Sequence, residues 1–466
     1  MIPVTCFENR TVAVFGLARS GLDAVRALMA GGAKVTAWDD SAPKVAEAHE
    51  QGFPVSDLHE ADWSSLDALV LSPGVPLTHP GPHWTVERAK EAGVEIIGDT
   101  ELFFREHALC EPGAPVIAIT GTNGKSTTTA LIGHLIAHAG RKVSVGGNIG
   151  KAVLGLDPFG AARTYVLELS SYQIDLTPTL EPAVGLLLNV TPDHLDRHGT
   201  MENYAAIKAR VAESARTAVI AVDDDWTRAI ADRLDAAGRS VTRVSATGKP
   251  GNGVFMRGTQ IVAARDGREQ VVADLAGIGS LRGGHNAQNA VAAVATALAV
   301  GVSAANIAAG LASFPGLAHR MQEIGRRGRV LFVNDSKATN AEAAARALAS
   351  FETIYWIAGG RPKSGGIDGL RRHFPKVRKA FLIGEAAGEF AETLGEVPHI
   401  DCGDLATAVA EAARAAGDDD APEPVVLLAP ACASFDQFPD FEARGNAFRD
   451  LVAGLDGVAL TVREAA

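Results

Sequence analysis

The clearest candidate for chemistry is a short glycine-bearing loop in the first third of the chain. It consists of Gly121, Thr122, Asn123, Gly124, Lys125 and Ser126. It lies between the apolar run 116–120 and a stretch typical of a helix that ends near Gly140. In such a loop the backbone N–H groups and the start of the helix face an anion, the lysine reaches the β- and γ-phosphates, and the serine hydroxyl binds Mg²⁺. Ile119 stands where the common eight-residue pattern has its first glycine, yet the position between a strand and a helix predicts nucleotide binding.

Carboxylates and histidines follow two other apolar runs. Glu168 stands at the end of one run, and a second group follows the run 183–190: Asp193, His194, Asp196 and His198. Ligands and metals gather at the carboxyl edge of a parallel sheet, and carboxylates suit Mg²⁺. The alternative is that Asp193 caps a helix and that the histidines are polar surface residues. Together with the phosphate loop, these residues favour a site for a metal bound to ATP.

A second glycine-bearing turn, residues 16–21, follows the first apolar run of the chain. Asp39 and Asp40 end the next run, and the whole is similar to a dinucleotide-binding fingerprint with its downstream acid. Ala18 replaces the middle glycine, so the backbone cannot approach a pyrophosphate as closely. On these residues alone, NAD binding, binding of another nucleotide and a purely structural turn all stay open.

Three polar loops in the last third of the chain each follow an apolar run. They cover residues 334–340, 359–366 and 430–438. Asp335 could cap a helix while Lys337 stays solvated, or Lys337 and Thr339 could meet an anionic ligand at a sheet edge. Three such loops at three strand ends favour a shared binding site over three loops with unrelated structural roles.

The elements that must position these loops alternate between short apolar runs and helix-like stretches. The pattern predicts an α/β protein with parallel, doubly wound sheets. We predict a Rossmann-like N-terminal domain over 1–108, a central P-loop ATPase-like domain over 109–314 and a Rossmann-like C-terminal domain over 315–466. The predicted strands are 11–16, 34–40, 67–74, 116–120, 164–170, 183–190, 330–336, 354–360, 380–385 and 425–430.

Composition narrows the class of protein. The 43 Lys+Arg and 55 Asp+Glu residues give a net charge of −12, which argues against non-specific binding to nucleic acid or to a membrane surface. The four cysteines show no CxxC spacing and the first ten residues do not resemble a signal peptide, so we expect a cytoplasmic protein without disulfides. Residues 286–317 carry no charge, but Gly301 and Ser303 interrupt the run, so we expect two buried helices and no membrane insertion.

A series of segments resembles the signature segments of the Mur ligase family over essentially the full chain. In order they are GTNGKS, GGNIG (146–150), LELSSYQ (167–173), LNVTPDHLDRH, HNAQN (285–289), HR (319–320), NDSKATN and PACASFDQFPDFEARG. The first of them, with the Glu and His segments, is shared by the wider family, which includes folylpolyglutamate synthetase. GGNIG, NDSKATN and CASFDQF are most similar to the member that adds D-glutamate, and the DNPR-type motif of the member that adds meso-diaminopimelate is missing from the sequence.

The resemblance implies an ATP-dependent ligase of peptidoglycan synthesis, with ATP and Mg²⁺ as cofactors. It would join UDP-N-acetylmuramoyl-L-alanine to D-glutamate through an acyl phosphate, acting as a monomer. Another Mur-family or folylpolyglutamate-type ligase is the alternative. The N-terminal domain would then bind the uridine diphosphate of the sugar nucleotide and not NAD.

The resemblance also implies roles for single residues. Lys125, Glu168, His194 and Lys208 would be catalytic. Contacts with the sugar nucleotide would come from Leu17, Ala18, Asp39, Asp40, Ser72, Asn148 and Ser170. ATP would meet Gly121, Thr122, Asn123, Gly124, Lys125, Ser126 and Thr127, with Asn289, Arg320, Asp335 and Lys337. D-Glutamate would be placed by Thr339, Lys363, Ser434 and Phe438. Mg²⁺ would be held by Ser126, Glu168, His194 and Lys208. Lys208 falls where the family carries a carbamylated lysine, although by spacing alone it is typical of an exposed helix lysine.

Overall fold

A computed structural model describes residues 1–362 and 365–461, and its strands form three sheets of four, nine and seven strands. The predicted α/β class with three domains is confirmed. Short 3-10 helices occur at Trp63–Ser65, Val153–Gly155, Gly279–Leu281 and Asp368–Lys376.

The N-terminal sheet is parallel. Its strands and helices are, in chain order, β1 (Thr11–Phe15), α1 (Arg19–Ala30), β2 (Lys34–Trp38), α2 (Ala42–Glu50), β3 (Ala68–Leu71), α3 (Trp84–Ala92), β4 (Glu95–Ile97) and α4 (Asp99–Cys110). The strands lie in the order β2-β1-β3-β4. Four of the five residues of β1 are buried, because both faces of the sheet are covered.

The middle sheet carries the phosphate loop. Its elements are β5 (Val116–Thr120), α5 (Lys125–His138), β6 (Lys142–Gly147), β7 (Arg163–Glu168), α6 (Ser171–Asp175), β8 (Val184–Leu187), α7 (Leu195–His198), α8 (Met201–Glu213), β9 (Thr217–Ala221), α9 (Asp225–Ala236), β10 (Val241–Ser245), β11 (Gly253–Arg257), β12 (Gln260–Arg265), β13 (Arg268–Asp274), α10 (Gly284–Ala299) and α11 (Ala304–Ser313). The order is β13-β12-β11-β10-β9-β8-β5-β7-β6, and β12 and β13 pair antiparallel. Because β5 lies between the parallel strands β7 and β8, the carboxyl ends of all three meet at one edge.

The C-terminal sheet is mixed. Its elements are β14 (Gln322–Arg327), β15 (Val330–Asn334), α12 (Ala341–Ala349), β16 (Ile354–Gly359), β17 (Val377–Ile383), α13 (Ala387–Leu394), β18 (His399–Gly403), α14 (Leu405–Gly417), β19 (Val425–Leu428), α15 (Phe441–Ala453) and β20 (Ala459–Leu460). The order is β18-β17-β16-β19-β15-β14-β20, with β14 antiparallel to both of its neighbours.

The chain groups into two compact units. One contains Met1–Ala276 and Gly284–Ser313, and therefore the first two sheets; the other contains Gly277–Gly283 and Phe314–Ala466. The segment 277–283 lies inside the range predicted for the middle domain but belongs to the second unit. There Arg282 donates to Glu423 at 2.6 Å, and the Ser280 hydroxyl donates to the Phe314 carbonyl at 2.6 Å.

The uncharged segment forms the two helices α10 and α11, which are separated around Gly301 as predicted. Within residues 1–362 and 365–461, the structure contains no helix with the length and apolar character that a membrane crossing requires.

Candidate functional site

The phosphate loop occupies the turn from β5 into α5. Gly121 and Gly124 have φ angles of +158° and +84°, and Gly124 caps the helix. A Cβ atom on Gly124 would lie 2.2 Å from Asn289 Oδ1, so only glycine fits beside that side chain. The Thr128 hydroxyl donates to the same oxygen at 3.2 Å. Asn289 is thus packed against the loop, and its role in ATP binding stays a prediction.

Asn189, which the sequence analysis did not single out, holds the loop in shape. Its side chain accepts a hydrogen bond from the Asn123 N–H at 2.8 Å and donates to the Asn123 carbonyl at 3.1 Å. Its own carbonyl accepts from the Thr122 N–H at 2.9 Å. Gln288 accepts from the Asn189 amide at 3.0 Å and donates to Asp223, also at 3.0 Å. A chain of polar contacts therefore runs from the loop to the end of β9.

Lys125 begins α5, and its ammonium donates to the carbonyls of Gly121 and Thr122 at 3.1 and 3.0 Å. Ser126 and Thr127 follow in the first turn, where Thr127 is buried and Ser126 is half-buried. The helix N-terminus carries a partial positive charge, which adds to that of the lysine. The arrangement is suited to binding an anion such as a phosphate group.

Glu168 is a buried carboxylate at the end of β7. Only 1% of its surface is exposed, and Oε1 accepts a hydrogen bond from Asn148 Nδ2 at 2.9 Å. Its other oxygen, Oε2, is buried and has no hydrogen-bond partner among the described residues. A buried carboxylate oxygen without a partner destabilises the fold unless a cation or a hydrogen-bond donor binds it. Glu168 is therefore suited to serve as a ligand of Mg²⁺.

Lys208 is buried, so the exposed position that its spacing indicated is wrong. Only 2% of its surface is exposed, and its ammonium donates to the Gly121 carbonyl at 2.9 Å and to Thr120 Oγ1 at 3.3 Å. Burial, and then the charge of Lys125, lower the pKa of Lys208 to about 7. A large fraction of this amine is therefore neutral near pH 7, the form that reacts with carbon dioxide to give a carbamate.

The histidine segment divides into an exposed and a buried part. His194 has a φ angle of 52°, and its Nε2 lies 3.4 Å from a carboxylate oxygen of Asp193, with both side chains about half exposed. His198 is buried and bonded to the Ser171 hydroxyl at 2.9 Å, so it is not a surface histidine. Burial lowers the pKa of His198 to about 4, which keeps the ring neutral. The position before α7 belongs to His194, so Asp193 is not the cap of that helix.

No cluster of three or more His, Cys, Asp or Glu side chains in the described part of the chain is arranged to hold a metal ion. The predicted Mg²⁺ ligands include only two such side chains, Glu168 and His194. The others are the Ser126 hydroxyl and Lys208, which becomes a ligand only as a carbamate. Ser170 is engaged locally, because its hydroxyl and Gln173 form the capping box of α6.

In the N-terminal sheet, Asp39 organises the turn between β1 and α1. Although burial alone would raise the pKa of Asp39, hydrogen bonds from the N–H groups of Leu17 and Ser41, at 2.8 and 2.9 Å, and from Lys44 hold it below its usual value. With its oxygens so engaged, Asp39 is not placed like the free ribose-binding acid of a dinucleotide site. Ala18 caps α1.

The glycines of this turn serve close packing. The Ser72 hydroxyl donates to the Gly16 carbonyl at 2.8 Å, and a Cβ atom on Gly16 would lie 2.5 Å from the Ser72 hydroxyl oxygen. The N-terminus of α1 and the turn after β3 therefore lie side by side.

Asp40 lies at the rim of this sheet edge. Its carboxylate accepts from His83 Nε2 at 3.0 Å and from the Trp84 indole at 3.2 Å, and the Trp84 ring stacks on His59 with centroids 3.8 Å apart. An adjoining groove of about 540 Å³ is lined by Trp38, Asp39 and Asp40 together with α2 and residues 55–57. This volume falls within the range of small-molecule sites.

In the C-terminal sheet, the loop after β15 places Asp335 and Lys337. Asp335 is buried, and its carboxylate accepts from the Met321 N–H at 3.0 Å. Burial raises the pKa of Asp335 to about 6. The Lys337 ammonium lies 5.5 Å from the centre of the Phe441 ring, and the Lys337 N–H donates to the His319 carbonyl, next to Arg320.

Arg444 joins two of the predicted binding loops and was missed in the sequence. It is 1% exposed, and it donates to the hydroxyl and carbonyl of Ser336 at 3.0 and 2.9 Å and to the Cys432 carbonyl at 3.1 Å. Burial lowers the pKa of Arg444 to about 10, so the side chain stays charged. Its only sequence signal was membership of the segment FEARG.

The residues predicted to place D-glutamate have different surroundings. Ser434 is buried within the loop 430–438 that Arg444 holds, and the Thr339 N–H donates to the Lys337 carbonyl at 2.8 Å. Phe438 packs with Leu451 and other apolar residues of α14 and α15, while Phe441 is the aromatic residue that meets Lys337. Lys363 lies outside the described residues.

Comparisons with known proteins cover the whole chain. Three family models match: "Mur ligase MurD-like, N-terminal domain" over residues 10–98, "Mur ligase middle domain" over 119–297 and "Mur ligase, glutamate ligase domain" over 319–432. The UDP-N-acetylmuramoylalanine--D-glutamate ligase of Chelativorans sp. (strain BNC1) is 60% identical over 461 residues, which is 99% of either chain. The protein of the same name from Brucella abortus (strain 2308) is 60% identical over 460 residues, 98% of either chain.

Solved structures share the fold at low sequence identity. UDP-N-acetylmuramate-alanine ligase MurC from Thermotoga maritima matches with a TM-score of 0.56 and 18% identity, covering 95% of this chain and 98% of the other. A pseudomurein peptide ligase type C from Methanothermus fervidus matches with a TM-score of 0.53 and 16% identity, covering 96% of this chain and 99% of the other.

Proposed function

This chain belongs to the Mur ligase family, and we propose that the edge formed by β5, β7 and β8 is where it joins D-glutamate to UDP-N-acetylmuramoyl-L-alanine. It is an ATP-dependent ligase of peptidoglycan biosynthesis. One observation carries the assignment of the site. The phosphate loop, the incompletely bonded carboxylate of Glu168 and the buried amine of Lys208 meet at this edge.

The reaction requires activation of a carboxylate, which is a poor electrophile. We propose that ATP phosphorylates the L-alanyl carboxylate of the sugar nucleotide to an acyl phosphate, with ADP as the leaving group. The amine of D-glutamate then attacks the acyl carbon, and phosphate leaves from the tetrahedral intermediate. Negative charge builds up on the transferred phosphoryl group, and Lys125 together with the N-terminus of α5 would stabilise it.

Mg²⁺ is part of this proposal. Glu168 through its unpartnered oxygen, the Ser126 hydroxyl, His194 and a carbamate on Lys208 would hold it. When bound, the ion neutralises charge on the phosphates of ATP. The carbamate would convert a buried cation into an anion beside the loop, which removes the unfavourable proximity of Lys208 to Lys125.

The remaining residues divide between the other two substrates. We propose that the sugar nucleotide lies against the N-terminus of α1, with Leu17, Ala18 and Ser72 near its phosphates, and that its base uses the groove beside Asp39 and Asp40. Asn148 and Ser170 would contact the sugar-peptide part. The loops of the C-terminal unit would bind D-glutamate through Thr339, Lys363, Ser434 and Phe438. Arg320, Asp335 and Lys337 would contact the nucleotide.

We further propose that the protein acts as a monomer in the cytoplasm. Its four cysteines are thiols and not disulfide partners in the described part of the chain, in keeping with a reducing compartment. Light scattering after size-exclusion chromatography measures the mass directly, and a dimer at micromolar concentration would contradict the proposed state.

The activity is tested by phosphate release from ATP in the presence of UDP-N-acetylmuramoyl-L-alanine. D-Glutamate is compared with L-glutamate, L-lysine and meso-diaminopimelate. We expect release only when the sugar nucleotide and D-glutamate are both present, with the ligated product formed in equal amount. Release driven by another amino acid would move the chain to a different member of the family, and no turnover with any pair would overturn the proposal.

A further inference from the structure

Arg197 forms a bidentate contact with a distant turn of the first unit. Its guanidinium donates to the carbonyl of Gly74 at 3.0 Å through one terminal nitrogen and to the carbonyl of Val75 at 3.0 Å through the other. Gly74 and Val75 lie in the turn after β3, more than 120 residues away in sequence. A planar guanidinium that bonds two successive carbonyls fixes the orientation of the turn and not only its position.

The turn that Arg197 holds is the one that packs against the N-terminus of α1. The Val75 N–H closes it by donating to the Ser72 carbonyl at 3.0 Å, and the Ser72 hydroxyl bonds to Gly16. The turn after β3 is therefore bonded to the turn between β1 and α1 on one side and to Arg197 on the other. The direction of its remaining polar groups depends on both attachments.

At its other end, Arg197 belongs to the segment that begins with His194. The guanidinium lies 4.7 Å from the centre of the Tyr172 ring, a cation–π distance. The same ring lies 5.1 Å from the His194 ring and 5.2 Å from the His198 ring. Tyr172 thus fixes Arg197 and His194 relative to each other.

A second contact joins the same two segments. Gly199 approaches the loop after β3 so closely that a Cβ atom on Gly199 would lie 3.0 Å from His79 Nε2. Pro73, Tyr172 and Arg197 line a small cavity between the two segments. The turn after β3 and the segment after β8 therefore meet at two points, Arg197 and Gly199.

We propose that Arg197 is a positioning residue that couples the sugar-nucleotide turn after β3 to His194. The inference rests on the proposed function of this site. Arg197 does not touch the substrate; it orients the turn that meets the phosphates of the sugar nucleotide and keeps His194 in register with it. Loss of the bidentate contact lowers the affinity for the sugar nucleotide and also slows turnover, while the binding of D-glutamate is unchanged.

The test uses Arg197→Lys, which keeps the charge but cannot bond two carbonyls in a fixed fork. The matched control is Arg329→Lys, because Arg329 also bonds two successive carbonyls, those of Asp419 at 2.9 Å and Asp420 at 3.0 Å, and belongs to the C-terminal unit. Affinity for UDP-N-acetylmuramoyl-L-alanine is measured by calorimetry without ATP and D-glutamate. The KM of each substrate, kcat and the melting temperature are measured in parallel.

We expect the Kd and KM of Arg197→Lys for the sugar nucleotide to rise by about tenfold, because the turn loses the orientation that the two hydrogen bonds impose. Its kcat should fall, and its KM for D-glutamate should stay at the wild-type value. Arg329→Lys should lower the melting temperature and leave the affinity for the sugar nucleotide unchanged. Equal affinity of both variants for the sugar nucleotide would overturn the inference and reduce Arg197 to a stabilising contact.

Two further measurements keep the test decisive. If Arg197→Lys does not fold, Tyr172→Leu is used instead, because it removes the ring that contacts the guanidinium. We expect the Kd for the sugar nucleotide to rise in Tyr172→Leu, by less than in Arg197→Lys. An unchanged Kd would overturn the inference. Hydrogen exchange at residues 72–76 should become faster in Arg197→Lys and in Tyr172→Leu, and not in Arg329→Lys. A wild-type protein that neither binds the sugar nucleotide nor ligates would instead contradict the proposed function itself.

Discussion

Replacing Asn189 by alanine tests how the phosphate loop is held. The change removes two hydrogen bonds to Asn123, of 2.8 and 3.1 Å, and a third to Gln288, while the bond from Thr122 to the Asn189 backbone stays. Each neutral hydrogen bond contributes about 0.5–1.5 kcal/mol, so the two bonds to Asn123 account for about 1–3 kcal/mol of loop order. ATP must then order the loop as it binds, and we expect its Kd to rise by about tenfold.

The assay is calorimetric titration with a non-hydrolysable ATP analogue, together with thermal melting. Asn252→Ala is the matched control, because the Asn252 amide oxygen, just before β11, accepts the N–H of Asp266, just after β12, at 2.9 Å. Both variants should melt earlier than the wild type, and only Asn189→Ala should lose affinity. Unchanged affinity in Asn189→Ala, with a melting temperature lowered as in the control, would show that the Asn189 side chain does not hold the loop for ATP.

Three further predictions concern buried charged groups. Small carboxylic acids should restore part of the activity of Lys208→Ala, because they replace the carbamate. If no acid raises the turnover of Lys208→Ala above its value without acid, the result counts against the carbamate. Arg444→Met should raise the KM for D-glutamate more than that for ATP, because the loops at Ser336 and Cys432 lose their shared donor; equal changes would contradict that role. Burial raises the pKa of Asp335 from 3.8 to about 6, so its contribution to stability is present at low pH and is lost as pH rises through the upper value. The melting temperature of Asp335→Asn relative to wild type should therefore increase between about pH 4 and 6, and a flat difference would exclude the shift.

Strands and loops with strong local signals were predictable. The strand 116–120 has the same bounds in sequence and structure, because an apolar run of five residues is ended by Gly121. Other predicted strands were too long at their carboxyl ends. The run 67–74 contains only Ala68–Leu71 as strand, since the Ser72 backbone and hydroxyl are used in the turn.

The position of single polar side chains was not predictable from spacing. Lys208 lies on a helix whose pattern is typical of exposure, yet it is buried by contact with β5, nearly ninety residues earlier in the chain. Arg444 resembles an ordinary helix arginine until the loops at Ser336 and Cys432 are placed around it. Such burial depends on tertiary contacts, and local sequence carries no signal of them.

The grouping of residues 277–283 with the C-terminal unit has the same cause. In sequence this stretch is a connection between a strand and an Ala-rich helix. Its attachment depends on Arg282, which bonds to Glu423. Glu423 also accepts from Arg326 at 2.7 Å, so one carboxylate ties the connection to β14.

The most direct test of the account follows the carboxylate oxygen through the reaction. UDP-N-acetylmuramoyl-L-alanine that carries a heavy oxygen isotope at both oxygens of its alanyl carboxylate is ligated to D-glutamate with unlabelled ATP, and the released phosphate is analysed by mass spectrometry. Activation at the phosphate loop through an acyl phosphate predicts one labelled oxygen in phosphate for each amide formed. Phosphate that is free of label, with amide formed in full yield, would contradict it.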